Sequence, residues 1–157
     1  MSLTTGRGPL LGAIYPDDAW VDIEAEAMVN QFKRLMPPGV RLLSSATPIS
    51  NREASLATGI EFAENGDIEE SVRRLSKYDP DCYGYYCTTM SFARGIGGDL
   101  DISGRITRMT GRPATTTSAA MIQAFKALGI SSVTLASPYM PDVEARFIEF
   151  IRVLDVS

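Results

Sequence analysis

Tyr85-Tyr86-Cys87-Thr88-Thr89-Met90-Ser91-Phe92 is the stretch on which the fold turns: an apolar run ends in a cysteine and two threonines where a helical pattern begins. Cys82 to Cys87 reads as a strand, with Thr89 or Ser91 as the cap of the following helix. Backbone N–H groups at a helix start favour negative charge, and the same field lowers the pKa of a cysteine held in it. The junction therefore reads as a place for a thiolate beside a bound anion. A small carboxylate is the first substrate class it suggests.

Working upstream, Leu10 to Tyr15 is a short apolar run closed by Pro16. Beyond Asp17-Asp18, the residues Trp20, Ile23, Ala27, Met28, Phe32 and Leu35 recur at three- and four-residue steps, the spacing of one helix face. Pro37-Pro38-Gly39 stops that helix, and Val40 to Ser45 reads as a second strand before a polar connection from Thr47 to Asn51. Ser55 to Ala63, and the run through Ile68, Val72 and Leu75, read as two helices about an Asn65-Gly66 turn, closed by Asp79-Pro80.

Downstream, Gly95, Gly97 and Gly98 interrupt regular structure, and Ile102 to Met109 is helical again. Gly111-Arg112-Pro113 turns into Ala114 to Thr116, and Thr117 or Ser118 starts a helix carrying Met121, Ile122, Phe125 and Leu128 to its stop at Gly129. Val133 to Ala136 reads as a buried strand. Asp142 to Leu154 reads as a last helix, with Val143, Phe147, Ile148, Ile151 and Leu154 along one side.

Strands alternating with helices imply right-handed βαβ units, hence an α/β, three-layer parallel sheet with flanking helices. Ligands of such sheets bind beyond the carboxyl ends of the strands. Three expected ends are suggestive: Tyr15-Pro16, Cys87-Thr88-Thr89 and Ser137-Pro138-Tyr139. Together they would line one cleft.

Composition excludes several functions. At 157 residues, 45% hydrophobic and 22% charged, the chain has the make-up of an ordinary globular domain. A net charge of -4 with dispersed arginines argues against a nucleic-acid partner. No apolar run reaches the roughly 18–20 residues that span a bilayer, and Met1 to Gly12 lacks the pattern of a signal peptide. No membrane partner and a cytoplasmic location are expected. Histidine is absent, which removes the commonest neutral-pH base and argues against a zinc site or Cys-His catalysis. Cys82 and Cys87, five positions apart, should face opposite sides of the sheet, so no disulfide is expected between them. Gly95-Ile96-Gly97-Gly98 fits neither phosphate-loop pattern, which discounts nucleotide binding.

Each candidate residue also has a plain reading. Cys87 is a thiolate or a small buried hydrophobe, and Cys82 belongs to the core. Thr88 and Thr89 donate to a carboxylate or simply cap a helix. Tyr139 offers its phenol to an anion or is a half-buried structural tyrosine. Thr115 to Ser118 is a capping segment or a second anion loop, and Asp17 and Asp18 are cleft acids or partners of a helix dipole.

Cys87-Thr88-Thr89-Met90-Ser91-Phe92-Ala93-Arg94-Gly95, Gly111-Arg112-Pro113-Ala114-Thr115-Thr116 and Ala127-Leu128-Gly129 resemble the aspartate/glutamate racemase superfamily. More narrowly they resemble its arylmalonate decarboxylase and maleate isomerase branch. Val133 to Tyr139, followed by Asp142-Val143 and Arg146-Phe147, is similar to that branch's second-domain opening, so the resemblance runs over nearly all of the chain from Leu10. It implies two pseudo-symmetric α/β domains with the site between them, here an N-terminal domain over 1–113 and the opening of an incomplete second over 114–157. It also implies no metal or organic cofactor. Cys87 matches the first-domain cysteine of the racemases and isomerases; Thr88, Thr89 and Tyr139 match residues that hold a substrate carboxylate, and Pro16 a cleft-lining position.

Two departures follow from the same resemblance. Arylmalonate decarboxylases have glycine where Cys87 stands, which points toward isomerase or racemase chemistry, although the Thr-Thr-Met-Ser-Phe context looks most like the decarboxylase. The strand carrying the partner cysteine would lie beyond Ser157, leaving a half-built site. Exposed apolar faces at Met121, Phe125, Phe147 and Ile151, or a homo-oligomer that buries them, are then expected.

Overall fold

The computed structural model describes residues 8–17, 30–32, 34–49 and 55–152. The helical pattern read from Trp20 falls mostly outside these residues; 30–32 and 34–35 are helical and are called α1.

Four strands form one parallel sheet. Leu10–Asp17 (β1) pairs along its length with Arg41–Pro48 (β2), and on its other edge with Cys82–Tyr85 (β3), Leu11 opposite Cys82 and Ile14 opposite Tyr85. Ala114–Thr116 (β4) adds to β3, so the spatial order is β2-β1-β3-β4. β4 lies just past the division after residue 113 and joins the same sheet as the strands before it. The start of the sheet is tied by Asp81, whose carboxylate accepts from the Leu10 N–H at 2.7 Å while its own N–H donates to the Leu10 carbonyl at 2.8 Å.

The helices are Leu56–Glu64 (α2), Asp67–Ser76 (α3), Thr88–Phe92 (α4), Gly98–Thr110 (α5), Thr117–Ala127 (α6) and Pro141–Ile151 (α7). α3 shows why such segments fold locally. Ile68, Val72 and Leu75 recur on one face and are buried, acids fill the first turn and Arg73 and Arg74 the last, complementing the helix dipole. α5 ends at Gly111, whose φ of 68° is the left-handed cap that glycine adopts without strain, and β4 begins three residues later.

Two apolar clusters hold these layers. In the first, Ile14, Tyr83 and Tyr85 of the sheet pack with Phe62, Ile68, Val72, Leu75, Met90, Ile102 and Ile106. In the second, Phe92 of α4 meets Val143, Phe147, Phe150 and Ile151 of α7, with ring centroids 5.0 Å from Phe147 and 6.2 Å from Phe150. Phe147 and Ile151, expected from the sequence to be exposed, are each only 8% exposed because Phe92 and its neighbours cover them; Met121 and Phe125 are half-buried. The large apolar side chains left in solvent are others, Leu128, Met140, Ile96 and Leu100 among them.

Val133 to Ala136 corrects the sequence reading most plainly: the segment has no regular structure and is not a strand, because no described strand lies beside it to complete a ladder. Val133 and Leu135 lean on the aromatic cluster while Thr134 and Ala136 face solvent. Among the described residues, no helix is long and apolar enough to cross a membrane.

Candidate active site

The carboxyl ends of β1, β3 and β4 converge, and Cys87 stands between β3 and α4. The Tyr86 N–H donates to the Ile14 carbonyl at 2.7 Å, carrying the β1–β3 pairing one step past the formal strand. Ile14 and Tyr85 are the last partners of that register, two residues before Pro16 on one chain and Cys87 on the other. Pro16 itself lies within β1, opposite Thr47 of β2.

Cys87, rather than Thr89 or Ser91, is the N-cap of α4, with extended backbone and no side-chain cap hydrogen bond. Its thiol is pushed up to about 11 by burial, an effect the nearby backbone N–H groups of Met90 and then Thr89 only partly oppose. The field of the helix start is thus present as the sequence led one to expect, but desolvation outweighs it and the net shift is upward rather than down. At neutral pH Cys87 is therefore a protonated thiol. Both cysteines are free and half-buried, and burial also raises the Cys82 thiol, helped by the nearby Asp81 charge.

Thr88 and Thr89 occupy the first turn beside Cys87, half-buried, with hydroxyls that make no hydrogen bond to any described residue. Their neighbour α2 approaches closely: a methyl group on Gly59 would meet the Ala93 Cβ at 3.0 Å and the Thr89 Cγ2 at 3.7 Å. A side chain there would require α4 to give by a few tenths of an ångström. Tyr139 lies at the other end of α4, its ring edge-on to Phe92 with centroids 5.8 Å apart and 6.1 Å from Phe147. The structure therefore brings Cys87, Thr88 and Thr89 into one turn and places Pro16 near the carboxyl end of β1, while Tyr139 joins the aromatic cluster. Asp17 has its backbone in β1, and Asp18 lies outside the described residues.

The sequence reading missed the buried polar contacts behind this turn. Ser91 and Ser118, each 0% exposed, place their hydroxyl oxygens 2.6 Å apart, and both reach the Thr88 carbonyl, at 2.9 and 3.2 Å. Thr116, not Thr117 or Ser118, caps α6, its hydroxyl oxygen accepting from the Ala119 N–H at 3.1 Å. Thr117 instead donates to the Tyr85 carbonyl at 3.3 Å. Ser91 between the apolar Met90 and Phe92 was the available signal, but its partner is 27 residues away. Beside this turn, Tyr86 packs edge-on to Phe32 at 4.4 Å and lines an apolar cavity of about 240 Å³ with Gly84, Thr115 and Ala120; burial raises its phenol to about 12.

A parallel sheet with a cysteine capping the helix after its third strand defines an α/β protein of the aspartate/glutamate racemase-like fold. Liganded and unliganded solved structures share it. Arylmalonate decarboxylase superposes with a TM-score of 0.69 at 25% identity, over 94% of this chain and 59% of that one. A liganded double mutant of arylmalonate decarboxylase, with a glycine changed to cysteine and a cysteine to serine, gives 0.74 at 25% identity, over 94% and 58%. Maleate isomerase from Pseudomonas putida S16 gives 0.73 at 20% identity, over 95% and 61%, a likeness of fold. In sequence, residues 62–156 match the arylmalonate decarboxylase family, and the chain belongs to that family. The arylmalonate decarboxylase of Bordetella bronchiseptica is 32% identical over 84 residues, 54% of this chain and 35% of that protein. The chain spans about three fifths of the solved relatives, and its match covers about a third of the curated one.

Proposed function

We propose that this chain provides the first half-site of a cofactor-independent isomerase, racemase or decarboxylase acting on a small carboxylate, with Cys87 as the working thiol and Thr88, Thr89, Tyr139 and Pro16 around the substrate. The observation that carries this reading is the place of Cys87, the N-cap of α4 at the end of β3, beside a first turn that presents the Thr88 and Thr89 hydroxyls, neither bonded to a described residue. Donors fixed in advance stabilise the negative charge that develops when an α-proton or CO2 leaves. With a maleate-type substrate, the thiolate would add to one alkene carbon and the other would take a proton. Rotation about the resulting single bond, loss of that proton and expulsion of the thiolate would give the trans isomer. The rest of the site, in a second domain beginning after residue 113, belongs to this proposal, as do a cytoplasmic setting and a homo-oligomer burying Leu128 and Met140. Sedimentation of the purified chain as a monomer at all concentrations would remove the oligomer.

A second reading, a carboxylate-binding relative without chemistry, is favoured by one observation: burial holds the Cys87 thiol near 11, protonated at neutral pH. Proton NMR in D2O with maleate, aspartate, glutamate and phenylmalonate separates the two. Conversion or deuterium uptake that disappears in Cys87→Ala supports the enzyme, and full turnover in that variant removes Cys87 from the mechanism. Chemical-shift changes without turnover support the binding reading.

A further inference from the structure

Asn65-Gly66 is the turn between α2 and α3, away from the site described above. Both residues are exposed, and Gly66 has a φ of 89°, the left-handed backbone that glycine adopts freely. The Asn65 side chain is held at both ends by one residue. Its Nδ2 donates to Asp67 Oδ2 at 2.7 Å, and its Oδ1 accepts from the Asp67 N–H at 3.0 Å. The Gly66 N–H, by contrast, donates to no described residue.

An asparagine followed by glycine carries its own nucleophile, because glycine has no Cβ to hinder attack by its backbone nitrogen. When hydroxide takes the proton of the Gly66 amide, the nitrogen can add to Asn65 Cγ. The new C–N bond closes a five-membered succinimide, the Cγ–Nδ2 bond breaks, and Nδ2 leaves as ammonia after taking a proton from water. Water then opens one of the two imide C–N bonds. One opening leaves an ordinary aspartyl residue, the other an isoaspartyl residue with the chain routed through Cβ.

The folded turn forbids that ring. Closure needs the Gly66 nitrogen and the carbonyl carbon, Cα, Cβ and Cγ of Asn65 nearly in one plane. At the observed ψ of -5° the Gly66 nitrogen eclipses the Asn65 nitrogen instead and is swung away from Cβ. Bringing it round requires rotation about the Cα–C bond of Asn65. That rotation carries α3 away from α2 and draws Ile68, Val72 and Leu75 out of the first apolar cluster, and the two Asp67 contacts resist its start.

We propose that Asn65 is a conformation-gated modification site: the closed turn, pinned by Asp67, preserves its amide, and opening of the α2–α3 junction lets it cyclise onto Gly66 and become an acid. The change latches the junction open. Loss of Nδ2 removes the donor to Asp67 and sets two carboxylates side by side, so the original turn does not re-form. An isoaspartyl product also lengthens the backbone between two helices whose inner faces share one core.

The test is uptake of heavy oxygen at position 65, read by peptide mass after the chain is held in heavy-oxygen water at mildly alkaline pH, folded and in denaturant. The label enters only when the imide opens, so it counts the reaction itself. The folded parent should convert at least about tenfold more slowly than the denatured chain. Asp67→Ala, which removes one of the two contacts, should narrow that gap about three- to tenfold, and Asp67→Asn, which keeps an acceptor in place, should leave most of it. Taking the folded-to-denatured ratio within each variant cancels the change of charge beside the reacting amide. Equal rates in the folded and denatured parent overturn the proposal. So does an Asp67→Ala ratio equal to the parent's while circular dichroism shows the variant folded. Should Asp67→Ala not fold, the parent's ratio decides alone. Cys87 and its substrate enter none of these measurements, so the outcome is independent of the proposed function.

Discussion

The sheet half of the molecule and its C-terminal third are both apolar, yet they are held in different ways. Around β1 and β3 every strand has a hydrogen-bonded neighbour, and side chains such as Ile14, Ile102 and Ile106 are completely enclosed. From residue 131 to 139 no backbone–backbone hydrogen bond is made among the described residues, and side-chain contact alone holds the segment. Val133, Leu135 and Tyr139 rest on the Phe92–Phe147 cluster, and the Ser137 hydroxyl donates to Glu144 at 2.9 Å. Apolar packing can lay a chain down on a core, but a strand also needs a neighbour's peptide groups. The candidate site lies at the seam of the two regions: Cys87 begins α4 on the sheet side and Phe92 ends it in the aromatic cluster.

The sharpest way to break this contrast is to cut into the enclosed side. Ile106→Ala removes a side chain with 0% exposure from a cluster of ten other buried residues, and should cost about 2–5 kcal/mol of stability. Chemical denaturation followed by far-ultraviolet circular dichroism would measure it. A loss below about 1 kcal/mol would mean that the first cluster is as loosely held as the second.

A smaller effect is expected from raising the pH. Burial favours the protonated form of Cys87, whose ordinary value is 9.0 and whose value in the fold is about 11. The sign follows directly: the contribution is fully present below pH 9.0 and is lost as pH rises through about 11. Because the residue is only half-buried, the loss should be at most about 2 kcal/mol. Cys87→Ser should abolish that part of the alkaline limb, leaving the later fall associated with Tyr86, whose phenol is pushed up to about 12. An unchanged limb between these values in Cys87→Ser would show that the thiol is solvated and that the turn is open.

The same contrast governs what is legible in the chain alone. Pro37-Pro38-Gly39, Asn65-Gly66 and Asp79-Pro80 act locally, and the helices and strands they separate fall within a few residues of where the spacing predicts them. Cys87, Thr88 and Thr89 are legible as one turn because they are adjacent in sequence. Val133 to Ala136 departs from its spacing because strand character depends on a partner that local pattern does not report. Ser91 and Ser118 are hidden for a different reason: each, taken singly, resembles a helix cap. Only folding brings their hydroxyls to 2.6 Å from each other.

The smallest predicted effect distinguishes the two regions most directly. Leu135 is half-buried against the aromatic cluster and lies in a segment with no ladder to disrupt, so the chain around Leu135→Ala can settle onto the cluster. The cost should be about 1 kcal/mol or less, against roughly 2–5 kcal/mol for a fully enclosed leucine, because both the transfer loss and the residual cavity are small. Hydrogen exchange in the parent chain should agree. Amides of 131–139 should exchange with little protection, while those of Tyr83 and Tyr86, donating to the Pro113 and Ile14 carbonyls at 2.9 and 2.7 Å, should exchange only on larger opening. Strong protection at Val133 and Leu135 in the purified chain would mean that another strand has paired there in solution. A second copy is then the partner to seek, and protection that fades on dilution would identify it.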